Sequence, residues 1–151
     1  MARILLMEDE NWQVKVVIRV LEVEFGHMVM FCSTIEATDK NLRSERFDIA
    51  IVDVMMDTKG PIRYETSAFV ILERIRKGDY ELAGNSKNLP VVFATGVKAM
   101  EMTWKDGETI PVAEGIRRMA GHDAICVNKP FMAENLDEAV KTAIKRCEAE
   151  D

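Results

Sequence analysis

The chain is short of cysteine, proline and aromatic residues, and it has no long apolar run. Its three cysteines, Cys32, Cys126 and Cys147, are unevenly spaced and form no C-x-x-C pair, so they give no disulfide framework. They read as reduced thiols, in the core or near the surface, of a cytoplasmic protein. No stretch approaches the roughly 20 apolar residues that cross a bilayer, so membrane insertion is not expected. The amino terminus, Met-Ala-Arg-Ile-Leu-Leu-Met-Glu-Asp, meets acids too early for a secretory signal. Positive charge is also lacking. With 26 acids against 20 bases and a net charge of −6, a broad basic face for nucleic acid is not expected.

What is present suits one folded domain spanning 1–151. The apolar fraction is 48%, enough for a core, and the 30% of charged residues alternate with clear periodicities rather than forming a disordered tract. The ten methionines lie mainly within apolar runs and read as core filling.

Strands are expected at Arg3–Met7, His27–Cys32, Asp48–Asp53, Leu89–Thr95 and Ala124–Val127. Helices are expected between them. The first runs from Asn11 to Phe25, with Val14, Val17, Ile18, Leu21 and Phe25 on one face and Gly26 as its stop. The second follows a Ser33/Glu36 capping box and ends near Ser44, with Leu42 inward. The third spans Thr66 to Lys77, burying Ala68, Ile71, Leu72 and Ile75 before Gly78. The fourth starts at Pro111 and closes at Gly121. The fifth runs from Ala133 to Ala149, with Leu136, Val140, Ala143, Ile144 and Cys147 on one face. Met56–Glu65, Asp79–Asn88 and Gly96–Ile110 read as connections without regular structure. Repeated β-α alternation implies an α/β fold, a parallel sheet with helices on both sides. Such sheets bind ligands at the carboxyl ends of their strands.

Those carboxyl ends hold the polar chemistry. Glu8 and Asp9 end the run Ile4–Met7. Asp53 ends Ile49–Val52, where a buried strand should stop and open toward solvent. Thr95 ends Val91–Ala94, and Lys129-Pro130 follows Ala124–Val127. Three carboxylates, a hydroxyl and an ammonium at one sheet edge suit a divalent cation and a phosphoryl group.

In order and in place, Glu8-Asp9, Asp53, Thr95-Gly96 and Lys129-Pro130-Phe131 resemble the receiver domain of two-component response regulators. The resemblance implies a flavodoxin-like, doubly wound sheet of five parallel strands in the order 2-1-3-4-5 with five helices. It implies that Asp53 accepts a phosphoryl group from a sensor histidine kinase or histidine phosphotransfer protein. Mg²⁺ would be held by Asp9, Asp53 and the backbone carbonyl of Met55, with Glu8 acting through water. Thr95 and Lys129 would bind phosphoryl oxygens, and the Lys129-Pro130 bond would be cis. Output would pass to a downstream protein by protein–protein binding, and a homodimer through the helix-four to helix-five face is allowed by analogy. No DNA-binding or enzymatic output domain is expected after residue 149. A haloacid-dehalogenase-type phosphohydrolase would need a second Asp where Met55 stands. An interaction module that works without phosphate is the other alternative.

Four departures from the family pattern shape the expectations. Met55 and Val97 stand where polar groups often orient the hydrolytic water, which suggests a long-lived phospho-Asp53. Cys126 replaces the aromatic expected three residues before the lysine, and reads either as core packing or as a changed output route. Asp57 replaces a common proline and reads either as a surface turn acid or as an extra charge near the metal. The loops 56–65 and 97–110 are long and should border the site, where they would choose the partner kinase or form a lid, with Met102 and Trp104 as candidate contacts, or be simple ornament. His27 and His122 are expected to be solvated. Trp12, one turn beyond Asp9, is expected near the site.

Overall fold

The computed structural model describes residues 1–8, 11–54, 62–63, 67–95, 101–121, 124–128 and 132–150; for 11–13, 62–63, 95, 128, 133 and 149–150 it describes the backbone. The central strands are β1 (Arg3–Met7), β2 (Met28–Cys32), β3 (Ile49–Asp53), β5 (Val91–Thr95) and β8 (Ile125–Asn128). All pair in parallel in the order β2-β1-β3-β5-β8. Counted within this sheet alone, that is the expected order 2-1-3-4-5.

Burial explains the apolar runs. Both faces of the sheet are covered, so strand residues are apolar at consecutive positions. Leu5, Met7, Ala50, Val52, Val91 and Phe93 join the core on one face. Ile4, Leu6, Ile49, Ile51, Val92 and Val127 join the core on the other. The helices α1 (Asn11–Val23) and α5 (Ala133–Glu150) cover the second face through Val14, Val17, Leu21, Leu136 and Val140. The helices α2 (Ile35–Ser44), α3 (Ser67–Lys77) and α4 (Val112–Ala120) contribute Leu42, Ala68, Ile71, Leu72, Ile75 and Ile116 to the first. Gly78, with φ 86°, and Gly121, with φ 92°, follow α3 and α4 in a conformation that favours glycine.

Several boundaries differ from expectation. The cap of α2 is Thr34, not Ser33: its hydroxyl accepts from Ala37 N at 3.0 Å. The helix thus begins one residue later, and Glu36 falls in its first turn rather than at the reciprocal capping position. Pro111 is the cap residue of α4 rather than its first helical residue. The stretch 79–88 contains a 3₁₀ turn at Glu81–Ala83. Asn85 ties it to α2, donating to the carbonyls of Leu42 and Glu45 at 2.8 and 2.7 Å and accepting from Phe47 N at 2.8 Å.

The largest correction concerns the two long connections. Parts of them form a second sheet: β4 (Ile62–Arg63) pairs in parallel with β6 (Glu101–Thr103), which pairs antiparallel with β7 (Thr109–Pro111). The β6–β7 turn is closed by Trp104 N donating to Glu108 O at 2.8 Å and Gly107 N donating to Trp104 O at 2.9 Å. Strands of two or three residues are too short to show a period in sequence.

His27 is not solvated. It is buried, with Nδ1 accepting from Ala2 N at 3.0 Å and Nε2 at 2.6 Å from Asp137 Oδ1. With Nδ1 accepting, the proton sits on Nε2 and is donated to Asp137. Burial alone would raise the Asp137 carboxyl, but the hydrogen bonds from Lys141 and His27 outweigh it and hold the group below its ordinary value. An imidazole thus ties the start of β1 to α5. His122 lies outside the described residues.

Candidate functional site

The site is built at the carboxyl ends of β1, β3, β5 and β8. Met7 pairs with Val52, so one further step of the same register sets Glu8 beside Asp53. Asp53 pairs with Ala94, which places Thr95 at the next strand end. Thr95 pairs with Asn128, the residue immediately before Lys129. The two-residue alternation of a strand puts Glu8 in series with Ile4 and Leu6, and Asp53 in series with Ile49 and Ile51. Both carboxylates therefore belong to the face covered by α1 and α5.

Both acids are deeply buried, Glu8 at 0% exposure and Asp53 at 1%. Asp53 does not open toward solvent as its strand-end position suggested. The ladders explain this, because both run one residue past the expected stop. Glu8 N donates to Cys32 O at 3.0 Å, and Val54 N donates to Ala94 O at 3.0 Å. Val54 is itself buried in the α3 and α4 core. Two carboxylates at adjoining strand ends away from bulk water form an all-oxygen donor pair, which suits a hard cation such as Mg²⁺. Among the described residues no group of three or more His, Cys, Asp or Glu could hold a metal. Asp9, Met55, Lys129, Val97 and Asp57 lie outside the described residues. Thr95 is described by its backbone, and so is Trp12, in the first turn of α1.

Residues expected to shape recognition are placed differently. Met102 is 1% exposed and cannot meet a partner. It fills the core beneath β6 because the strand alternates, with Glu101 exposed beside it. Trp104 is half-buried, with the Arg118 guanidinium 5.3 Å and the Lys105 ammonium 5.8 Å from its ring. Cys126, where core packing was one expectation, is exposed. It lies on the edge strand β8, opposite Phe93 in the register. The helix α4 has α3, β6 and β7 as its principal neighbours. None of the three cysteines is in a disulfide, as the sequence suggested, with Cys32 buried and Cys147 intermediate. No described helix is long and apolar enough to cross a membrane.

No protein-family model matches the chain, and no curated protein matches it. Solved structures do. A response regulator receiver domain protein from Clostridium thermocellum is 22% identical with a TM-score of 0.67, covering 100% of both chains. A CheY-like receiver domain protein from Methanospirillum hungatei JF-1 is 21% identical with a TM-score of 0.65, covering 100% of this chain and 99% of that one. A response regulator receiver protein from Sinorhizobium medicae WSM419 is 20% identical with a TM-score of 0.63, covering 96% of this chain and 95% of that one. The chain has the CheY-like fold of response regulator receiver domains.

Proposed function

We propose that the chain is a phospho-accepting receiver, with Asp53 as the acceptor. The observation that carries this is positional: in a receiver fold, Asp53 ends the middle strand β3, with the ends of β1 and β5 bearing Glu8 and Thr95 on either side. A carboxylate oxygen of Asp53 attacks the phosphorus of a phosphohistidine on a sensor histidine kinase or phosphotransfer protein. The new O–P bond forms as the P–N bond breaks; the donor ring leaves with the proton already on its other nitrogen, so an acyl phosphate stands on Asp53 and a neutral imidazole on the donor. Bound Mg²⁺ would neutralise the acids and the incoming phosphoryl oxygens, with Glu8, Asp9, Asp53 and the carbonyl of Met55 as its holders. Thr95 would donate its hydroxyl to a phosphoryl oxygen, and Lys129 would supply a point charge.

Burial of Asp53 has two consequences. At 1% exposure the carboxylate is hard to reach, so phosphorylation should be slow with small donors. Once formed, the acyl phosphate is shielded from water, and the apolar side chains of Met55 and Val97 offer no group to orient a hydrolytic molecule. The acyl phosphate is then long-lived, and Met55→Asn should shorten its life. The test of the main reading is intact-mass spectrometry after incubation with acetyl phosphate and Mg²⁺. Wild type should gain one phosphoryl mass, and Asp53→Ala and a chelated sample should not.

An interaction module that keeps the fold but works without phosphate is favoured by one observation, the 1% exposure of Asp53. Such a module would show no change on addition of beryllofluoride with Mg²⁺, whereas a phospho-acceptor would bind it.

A further inference from the structure

The helix α1 is apolar on two sides. Val14, Val17 and Leu21 are buried in the core it shares with α5, as the fold requires. Val16 and Val23 stand on the opposite side at 65% and 74% exposure, and Val20 between them is half-buried. At 3.6 residues per turn, Val16, Val20 and Val23 share a sector about 60° wide that points away from the core. The fold does not need this stripe. An outward helix position favours Ala, Glu, Lys or Gln, because a β-branched side chain loses χ1 freedom against the preceding turn. Three valines there weaken the helix on its own and contribute only when something covers them. Each already holds one preferred rotamer, so covering it orders little further. Beside the stripe, all on one flank, lie the exposed Lys15, Arg19 and Glu22. Within the chain Glu22 makes a long contact of 3.5 Å with Val29 N, which leaves its carboxylate able to turn outward at small cost.

We propose that the valine face of α1 pairs with the same face of a second copy of the chain, the two helices lying antiparallel about a twofold axis near residues 19 and 20. A surface that covers itself must match itself under that rotation. With Val16 of one copy against Val23 of the other, the two Val20 side chains meet at the centre. The rotation returns each flank to itself, so Lys15, Arg19 and Glu22 face their own copies. Glu22 then falls between Lys15 and Arg19 of the second copy, about 3 Å along the helix axis from the level of each. The two Arg19 side chains come together near the axis, and each has a Glu22 on its outer side. Apolar and charged positions thus match in the same register, which is the reason for choosing a second copy as the occupant. The contact spans about two turns of helix. It buries less than the roughly 1,200 Å² in total that stable complexes exceed, so the dimer is weak and exchanges. The charges set the register more than the affinity.

Sedimentation velocity of the full chain across a range of concentrations reads the dimer. In wild type the weight-average mass should rise from one protomer toward two between about 10 μM and about 1 mM, the range of a small transient contact. Val16→Lys and Val23→Lys alter side chains that are well exposed in the single chain, so both variants should fold, and each should weaken the dimer about tenfold or more. Circular dichroism melts confirm that they do fold. Lys15→Glu with Arg19→Glu should also weaken it, and adding Glu22→Lys to that pair should restore it, as the antiparallel register requires. A wild-type chain that stays monomeric at the highest concentration overturns the proposal and leaves the stripe to a partner of another kind. A dimer that Val16→Lys and Val23→Lys leave at wild-type strength lies on another face and overturns it as well. Charge reversal without rescue overturns the register and the pairing built on it.

Discussion

The two sheets of this molecule were built under different constraints. The central sheet is buried on both faces, and its strands are apolar at nearly every position. The small sheet is half of one layer: in β6 and β7 the burial alternates, with Met102 and Ile110 inside and Glu101, Thr109 and Pro111 exposed. The first is specified by hydrophobic pattern and fixes the fold. The second is built from the two connections that follow β3 and β5, and its strands are only two or three residues long.

A matched pair of truncations should separate them most strongly. Ile51→Ala in β3, fully enclosed between two helix layers, should lose stability in the upper part of the about 2–5 kcal/mol range for such changes. Ile110→Ala in β7 should fall toward the lower part, because a small sheet at the rim can close over the cavity. Chemical denaturation of both variants measures this, and equal losses would make the small sheet as rigid as the central one. His27→Ala should cost about 1–3 kcal/mol by stranding the Ala2 N–H in a buried place, with Asp137 still held by Lys141. A loss near zero in the same denaturation series would mean that β1 is held without this link.

Gly115→Ala tests the join between the sheets. Alanine should gain about 1 kcal/mol in helix propensity, but its Cβ would run into the sulfur of buried Met102, and such crowding costs about 1–3 kcal/mol. A small net loss is expected, and combining it with Met102→Ala should cost less than the two single losses together. Strict additivity in that double-mutant cycle would deny the contact. The smallest effect concerns acid. Glu114 on α4 is held down to about 2 from an ordinary 4.5 by hydrogen bonds from Arg117, ahead of those from Arg118. A depressed carboxylate pKa contributes stability that is present above the ordinary value and is lost as pH falls from about 4.5 toward 2. Circular dichroism across that range should show Glu114→Gln with a flatter profile than wild type, and identical profiles would mean that the pair adds nothing to the fold.

Much of the fold was legible because the central strands need continuous burial, and continuous burial leaves runs such as Ile49–Val52. The helices were legible from spacing, and Leu42, Ile71, Leu72 and Val140 are all inside as expected. The small sheet was not, since no pattern emerges from two or three residues. Gly115 was a visible sign, a glycine inside a helical stretch, and it marks the close approach to β6. His27 was misplaced because a lone histidine beside a glycine looks like a turn residue, and its partner Asp137 is distant in sequence. In the site, the neighbouring positions of Glu8, Asp53 and Thr95 followed from strand ends alone. The burial of Asp53 did not, because the ladder beyond β3 rests on a bond from Val54 to β5 that no local pattern announces.

The most direct measurement traps the acceptor itself. Borohydride reduces an aspartyl phosphate to homoserine, so the chain should be incubated with acetyl phosphate and Mg²⁺, reduced, digested and sequenced by tandem mass spectrometry. Homoserine at position 53, dependent on both reagents, is the predicted result. Unmodified Asp53, or homoserine at another acid, would contradict the account.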